Sequence, residues 1–122
     1  MGSTKKRILC VEDDKDFCEL LTLALPEFEF VNAATVLEAV EKAREGDFSL
    51  IFMESLLPDG SGEEACRLIR VFDKTTPILF ITESRFLSET HSRSIGAQGA
   101  LKKGSPTFLD DLQSRAFQLT SA

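Results

Sequence analysis

The sequence predicts a three-layer α/β sandwich built on a parallel sheet, and three observations carry that prediction. Five short runs are almost continuously apolar, as strands buried on both faces must be. These runs alternate with stretches that read as helices. The connections are short, so each helix crosses over the sheet and brings the next strand in parallel.

The first strand is "ILCV", Ile8 to Val11, preceded by basic "KKR" and ended by the acidic cluster Glu12, Asp13 and Asp14. From Asp14 or Lys15 onward, Phe17, Leu20, Leu21, Ala24 and Leu25 fall at helical spacing, and Pro26 marks the stop. "FEFVNAA" alternates and carries aromatic and branched residues, so it reads as the second strand. Thr35 is placed to cap a helix running through Arg44, with Val36, Ala39, Val40 and Ala43 on one face and Gly46 at the exit. "FSLIFM" is the third strand, and Ser61 to Phe72 the third helix. Thr75-Thr76-Pro77 leads into the fourth strand, "ILFIT". The segment Ser84 to Ser94 is polar and weakly patterned, and a helix is expected within it. "AQGAL" is a short fifth strand, and Ser105 is expected to open a last helix running to about Thr120.

A chain of 122 residues suits one domain, here residues 1–122 with an ordered core over 5–120, whether or not a longer protein surrounds it. No apolar stretch approaches the roughly 20 residues that span a bilayer. The start "MGSTKKR" lacks the apolar core of a signal peptide, so a cytoplasmic location and no membrane partner are expected. Cys10, Cys18 and Cys66 form no CxxC pair and read as reduced, buried apolar residues. His91 is the only histidine, which leaves a zinc site or a serine triad almost nothing to build on. A net charge of −6 argues against nucleic-acid binding by this domain alone.

In such sheets ligands sit outside the carboxyl ends of the strands, where the strand order reverses. Those ends carry Glu12, Asp13 and Asp14 after the first strand, Glu54 after the third, Thr82 after the fourth, and Lys102 and Lys103 after the fifth. Clustered carboxylates suit a hard divalent cation such as Mg²⁺. A hydroxyl and an ammonium facing them suit phosphoryl oxygens.

With "VEDD", "LPDGSG", "PILFIT" and "GAQGALKKG", the chain resembles the receiver domain of two-component response regulators over nearly its whole length. The resemblance implies a flavodoxin-like (βα)5 fold with sheet order 2-1-3-4-5. It implies Mg²⁺ at an acidic pair, matched by Glu12 and Asp13. It also implies an aspartate, four residues before the proline, that accepts a phosphoryl group from a histidine kinase. The residues contacting that group are matched by Thr82 and Lys103. Three positions depart from the pattern: Glu54 replaces the phosphoacceptor aspartate, Ala100 the aromatic switch residue, and Gly104 the proline after the lysine.

Glutamate pushes its carboxylate outward by about one carbon–carbon bond, ~1.5 Å. A misplacement of roughly 1 Å can cost on the order of 100-fold in rate. Mg²⁺ is therefore expected to be weak and not required, with Glu54 a candidate third ligand. The longer anion instead reaches toward Lys103 and Thr82, with Lys102 assisting, and mimics part of a phosphorylated state with a single charge. The expected protein is a pseudo-receiver, not an enzyme, that acts through protein contacts. Its expected partners are a histidine kinase or an output domain, with a homodimer also considered, at the face of helix four, strand five and helix five. Phe86 is a candidate to replace the missing switch, or else an anchoring apolar contact. The alternative is an active receiver phosphorylated on Glu54, Asp13 or Asp59. A flavodoxin-like cofactor binder is disfavoured, because no Ser/Thr-rich phosphate loop follows the first strand and no Trp or Tyr is present to stack on a flavin.

Overall fold

In the computed structural model, residues 5–121 are described. Five strands form the main sheet: β1 (Arg7–Val11), β2 (Glu29–Ala33), β3 (Leu50–Met53), β6 (Ile78–Thr82) and β7 (Gly99–Lys102). Between β3 and β6 lies a two-stranded antiparallel hairpin, β4 (Leu56–Leu57) and β5 (Gly60–Ser61). The helices are α1 (Lys15–Ala24), α2 (Val36–Glu45), α3 (Gly62–Phe72), α4 (Glu89–Ser94) and α5 (Phe108–Thr120). All pairings in the main sheet are parallel, and its order is β2-β1-β3-β6-β7. Setting the hairpin aside, this is the expected order 2-1-3-4-5 and the expected flavodoxin-like fold.

The period-2 alternation of the strands divides the core in two. Leu9, Val11, Ile51, Met53, Ile78 and Phe80 face α2 and α3, packing against Val36, Ala39, Ala43, Ala65, Cys66 and Ile69. Ile8, Cys10, Leu50, Phe52, Leu79 and Ile81 face the other way, onto Cys18, Leu21, Leu25, Phe108, Leu112 and Ala116 of the α1 and α5 layer. The three cysteines are free and buried, as expected.

Local capping sets where the helices begin. The Asp14 carboxylate accepts the amides of Asp16 and Phe17, at 3.0 and 3.2 Å. Thr35 caps α2 through the Glu38 amide, and Ser61 caps α3 through that of Glu64. Gly46, at φ 76°, ends α2 in the left-handed region that favours glycine.

Several boundaries differ from the sequence reading, and the second and third strands are shorter than "FEFVNAA" and "FSLIFM", covering Glu29–Ala33 and Leu50–Met53. The helix expected within Ser84–Ser94 occupies only Glu89–Ser94, because the preceding loop spends its amides on side chains instead: Ser84 on Thr82 Oγ1 and Phe86 on Ser84 Oγ. The last strand starts at Gly99 rather than Ala97 and runs on to Lys102. Ser105 does not open α5: its hydroxyl accepts the Thr107 amide within a turn, and the helix begins at Phe108. Among the described residues, no helix is long and apolar enough to cross a membrane.

The chain leaves β1 for β2 on one side and returns to β3 on the other, so strand order reverses between β1 and β3. Glu12 and Glu54 follow directly on those two strands.

Candidate functional site

Each of three central residues is fixed by a backbone hydrogen bond one step beyond its strand. Glu12 donates its amide to Ala33, Glu54 to Val11 and Lys103 to Thr82, all at 2.9 Å. Gly62 locks the Glu54 backbone from the other side: a Cβ there would lie 2.1 Å from the Glu54 carbonyl oxygen, so α3 starts this close only because the residue is glycine.

The Lys103 ammonium occupies the centre. It donates to Glu12 Oε1 at 2.6 Å, lies 3.4 Å from Glu54 Oε2, and sits 4.2 Å from the centroid of the Phe17 ring. All three charged side chains are nearly sealed, with 12% exposure at Lys103, 5% at Glu12 and 11% at Glu54. The second Glu12 oxygen accepts the Asp14 amide at 3.1 Å. Glu54 is less well served. At 3.4 Å it feels the ammonium's charge without a well-formed hydrogen bond, and its buried Oε2 has no hydrogen-bond partner among the described residues.

These contacts explain the titration directions. Burial pushes Glu54 above its ordinary value; the Lys103 charge opposes this and Glu12 adds to it. For Lys103, burial alone would depress the ammonium's pKa. The hydrogen bond to Glu12 and the charges of Glu54 and Glu12 outweigh that and hold it above the usual lysine value.

The raised Glu54 value carries a sign. The folded protein binds this proton more tightly than the unfolded chain, so stability falls as pH rises from the ordinary glutamate value, about 4.3, through the raised one. The full cost of ionised Glu54 is present above that window. Glu54→Gln is therefore expected to flatten the pH dependence of stability just above the ordinary glutamate pKa, read by denaturant unfolding at several pH values. A slope unchanged by the substitution would assign that titration to another group.

The remaining expected residues scatter. Thr82 is buried at the end of β6, but its hydroxyl bonds the Ser55 hydroxyl and accepts the Ser84 amide at 2.9 Å; it does not hydrogen-bond Glu54. Lys102 does not assist Lys103. The Lys102 ammonium donates to the carbonyls of Ser84 and Leu87 instead. Asp13 is exposed. Among the described residues no three His, Cys, Asp or Glu side chains converge as a metal cage. Lys103 stands between Glu12 and Glu54 where a cation would have to lie, so in this arrangement the carboxylates do not fit Mg²⁺.

Asp59 caps α2 from the hairpin, its two oxygens accepting the amides of Val36 at 2.7 Å and Leu37 at 3.1 Å. The Val36 bond foremost draws its pKa below the usual value. Ala100 is buried, and its amide donates to Glu89 Oε1, the oxygen that also accepts from Arg115. Phe86 is 87% exposed and is not an anchoring apolar contact among the described residues. Sequence reasoning missed Ser55 and gave Phe17 only a place in a helical repeat. The position of Ser55 directly after Glu54 was the available signal for the first.

A family model described as the response regulator receiver domain matches residues 8–115. The transcriptional regulatory protein CusR of Escherichia coli (strain K12) is 38% identical over 78 residues, 62% of this chain and 34% of that protein. The chain thus spans about a third of that relative's length. A solved two-component response regulator from Clostridium difficile superposes with TM-score 0.83 at 28% identity, covering 94% of this chain and 95% of that one. The receiver domain of the sensor histidine kinase PA1611 from Pseudomonas aeruginosa, which carries magnesium in its active-site cleft, shares the fold at TM-score 0.84 and 22% identity, covering 98% of this chain and 100% of that one.

Proposed function

The chain belongs to the response regulator receiver family, and from that premise we propose that it is a pseudo-receiver, signalling through protein contacts without phosphorylation at Glu54. One observation carries the reading: the Lys103 ammonium already bridges Glu12 at 2.6 Å and Glu54 at 3.4 Å, so the phosphoacceptor position holds an ion pair without any phosphodonor. Receivers use the corresponding lysine on a phosphoryl oxygen, and here a carboxylate stands partway to that oxygen's place. The mimicry is incomplete, because Glu54 supplies one charge and leaves Thr82 to Ser55.

Mg²⁺ plays at most a weak part in this reading. It would be held by Glu12 and Asp13 only after Lys103 gave way. The contact surface we propose is the α4, β7 and α5 face, which a kinase, an output domain or a second copy would meet. Glu89 ties this face together, bonding Arg93, Arg115 and the Ala100 amide.

Incubation with acetyl phosphate and Mg²⁺, followed by intact mass, tests the proposal. The protein is expected to gain no phosphoryl group. A stable adduct mapped to Glu54 or Asp13 would overturn the reading in favour of an active receiver. Asp59 is a weaker alternative acceptor, since both its oxygens are engaged in capping α2.

A further inference from the structure

Lys102 has no carboxylate within ion-pair reach among the described residues, yet its half-buried ammonium is held by two backbone carbonyls, those of Ser84 and Leu87. Both belong to the loop between β6 and α4, which displays Phe86 at 87% exposure. Charge-assisted bonds of this kind are stronger than neutral ones, and a half-buried ammonium that lost them would be left poorly solvated. The loop and the end of β7 are thus tied together by one side chain.

The tie closes a circuit. Lys103 Nζ lies 3.4 Å from Glu54, and Glu54 is bonded through the chain to Ser55. The Ser55 hydroxyl meets the Thr82 hydroxyl, which accepts the Ser84 amide at 2.9 Å. The Ser84 carbonyl accepts from Lys102, which is bonded through the chain to Lys103. Lys102 ends β7 and Lys103 is the next residue, and their ammoniums reach two different places, so a shift of the strand end that moves one moves both. Ala100, two residues back on the Lys102 face, ends at a methyl group and cannot make such a link.

We infer that Lys102 is a positioning residue that couples the Glu54–Lys103 site to the β6–α4 loop and so sets the conformation of the loop that displays Phe86. The inference rests on the pseudo-receiver reading in one respect: the site it couples is governed by the Glu54 charge rather than by a phosphoryl group.

Amide hydrogen exchange by NMR on the whole chain tests it, read at Ser84 and Phe86, whose amides bond Thr82 Oγ1 and Ser84 Oγ. Lys102→Met is expected to speed exchange at these amides by at least ~10-fold, the weight of one charge-assisted hydrogen bond. Glu54→Gln is expected to change the same rates in the native background and to change them less when Lys102→Met is already present, since only the Ser55–Thr82 arm then remains. A Glu54→Gln effect that persists undiminished without Lys102, or that is absent with it, overturns the inference. If Lys102→Met fails to fold, Lys102→Gln, polar and uncharged, takes its place in the same cycle. The outcome is separable from the phosphorylation test: an adduct in the mass spectrum would overturn the pseudo-receiver and leave the exchange result standing.

Discussion

Lys103→Met is expected to cost roughly 3–5 kcal/mol of folding stability, the range for removing one partner of a buried ion pair. Glu12 and Glu54 are 5% and 11% exposed at the side chain, and Lys103 is the only cation within ion-pair reach of either among the described residues. Without it, two carboxylates would share a nearly dry site, and one of them would have to take up a proton. The two glutamates should not respond alike. Glu12 receives a 2.6 Å hydrogen bond, whereas Glu54 is reached at 3.4 Å with an oxygen left unpartnered. Glu12→Gln is therefore expected to couple more strongly to Lys103→Met than Glu54→Gln does, and both neutralising changes should recover part of the loss. Denaturant unfolding of the two double-mutant cycles measures each coupling directly. A Glu54–Lys103 coupling indistinguishable from zero would leave Lys103 a partner of Glu12 alone. The observation that carries the proposed function would then have no energetic content.

Glu54→Asp is expected to restore phosphorylation by acetyl phosphate that the native protein lacks, because a misplacement of roughly 1 Å costs on the order of 100-fold in near-attack geometry. Shortening the side chain withdraws the carboxylate from Lys103 and opens space between Glu12, Asp13 and the strand end. Mg²⁺, which tolerates little departure from octahedral geometry, should bind the aspartate variant more tightly than the native protein. Intact mass reads the first effect and metal titration the second. Equal Mg²⁺ affinity would mean that the glutamate fits the coordination sphere. A variant that still takes up no phosphoryl group would show that the loops have disabled the site as well. Gly104 is the first suspect there, since it stands where the family has proline and a Cβ at that position meets open space.

The fold was legible because its signals are local. Apolar runs such as "ILCV" and "ILFIT", the cap at Thr35 and Gly46 at the end of α2 all act within a few residues of themselves, and each sits where the sequence places it. The weakest local signal, Ser84 to Ser94, gave the least accurate element. There the backbone amides are satisfied by the hydroxyls of Thr82 and Ser84, and such competition leaves no periodic trace.

Sequence alone also placed Glu12, Glu54, Thr82 and Lys103 at the carboxyl ends of adjacent strands, since topology follows from the order of the elements. Which of them touch was a different matter. Lys103 turning chiefly to Glu12, Thr82 engaging Ser55, Lys102 clamping the β6–α4 loop and Asp59 capping a helix 23 residues away in sequence were decided only by the packed structure. A strand end fixes a residue's address to within one side-chain length, whereas a hydrogen bond is made or lost within about half an ångström. That last distance is set by residues beyond the local pattern, such as Phe17 under the ammonium, far away in the chain, and Gly62 packed against the Glu54 carbonyl across the hairpin.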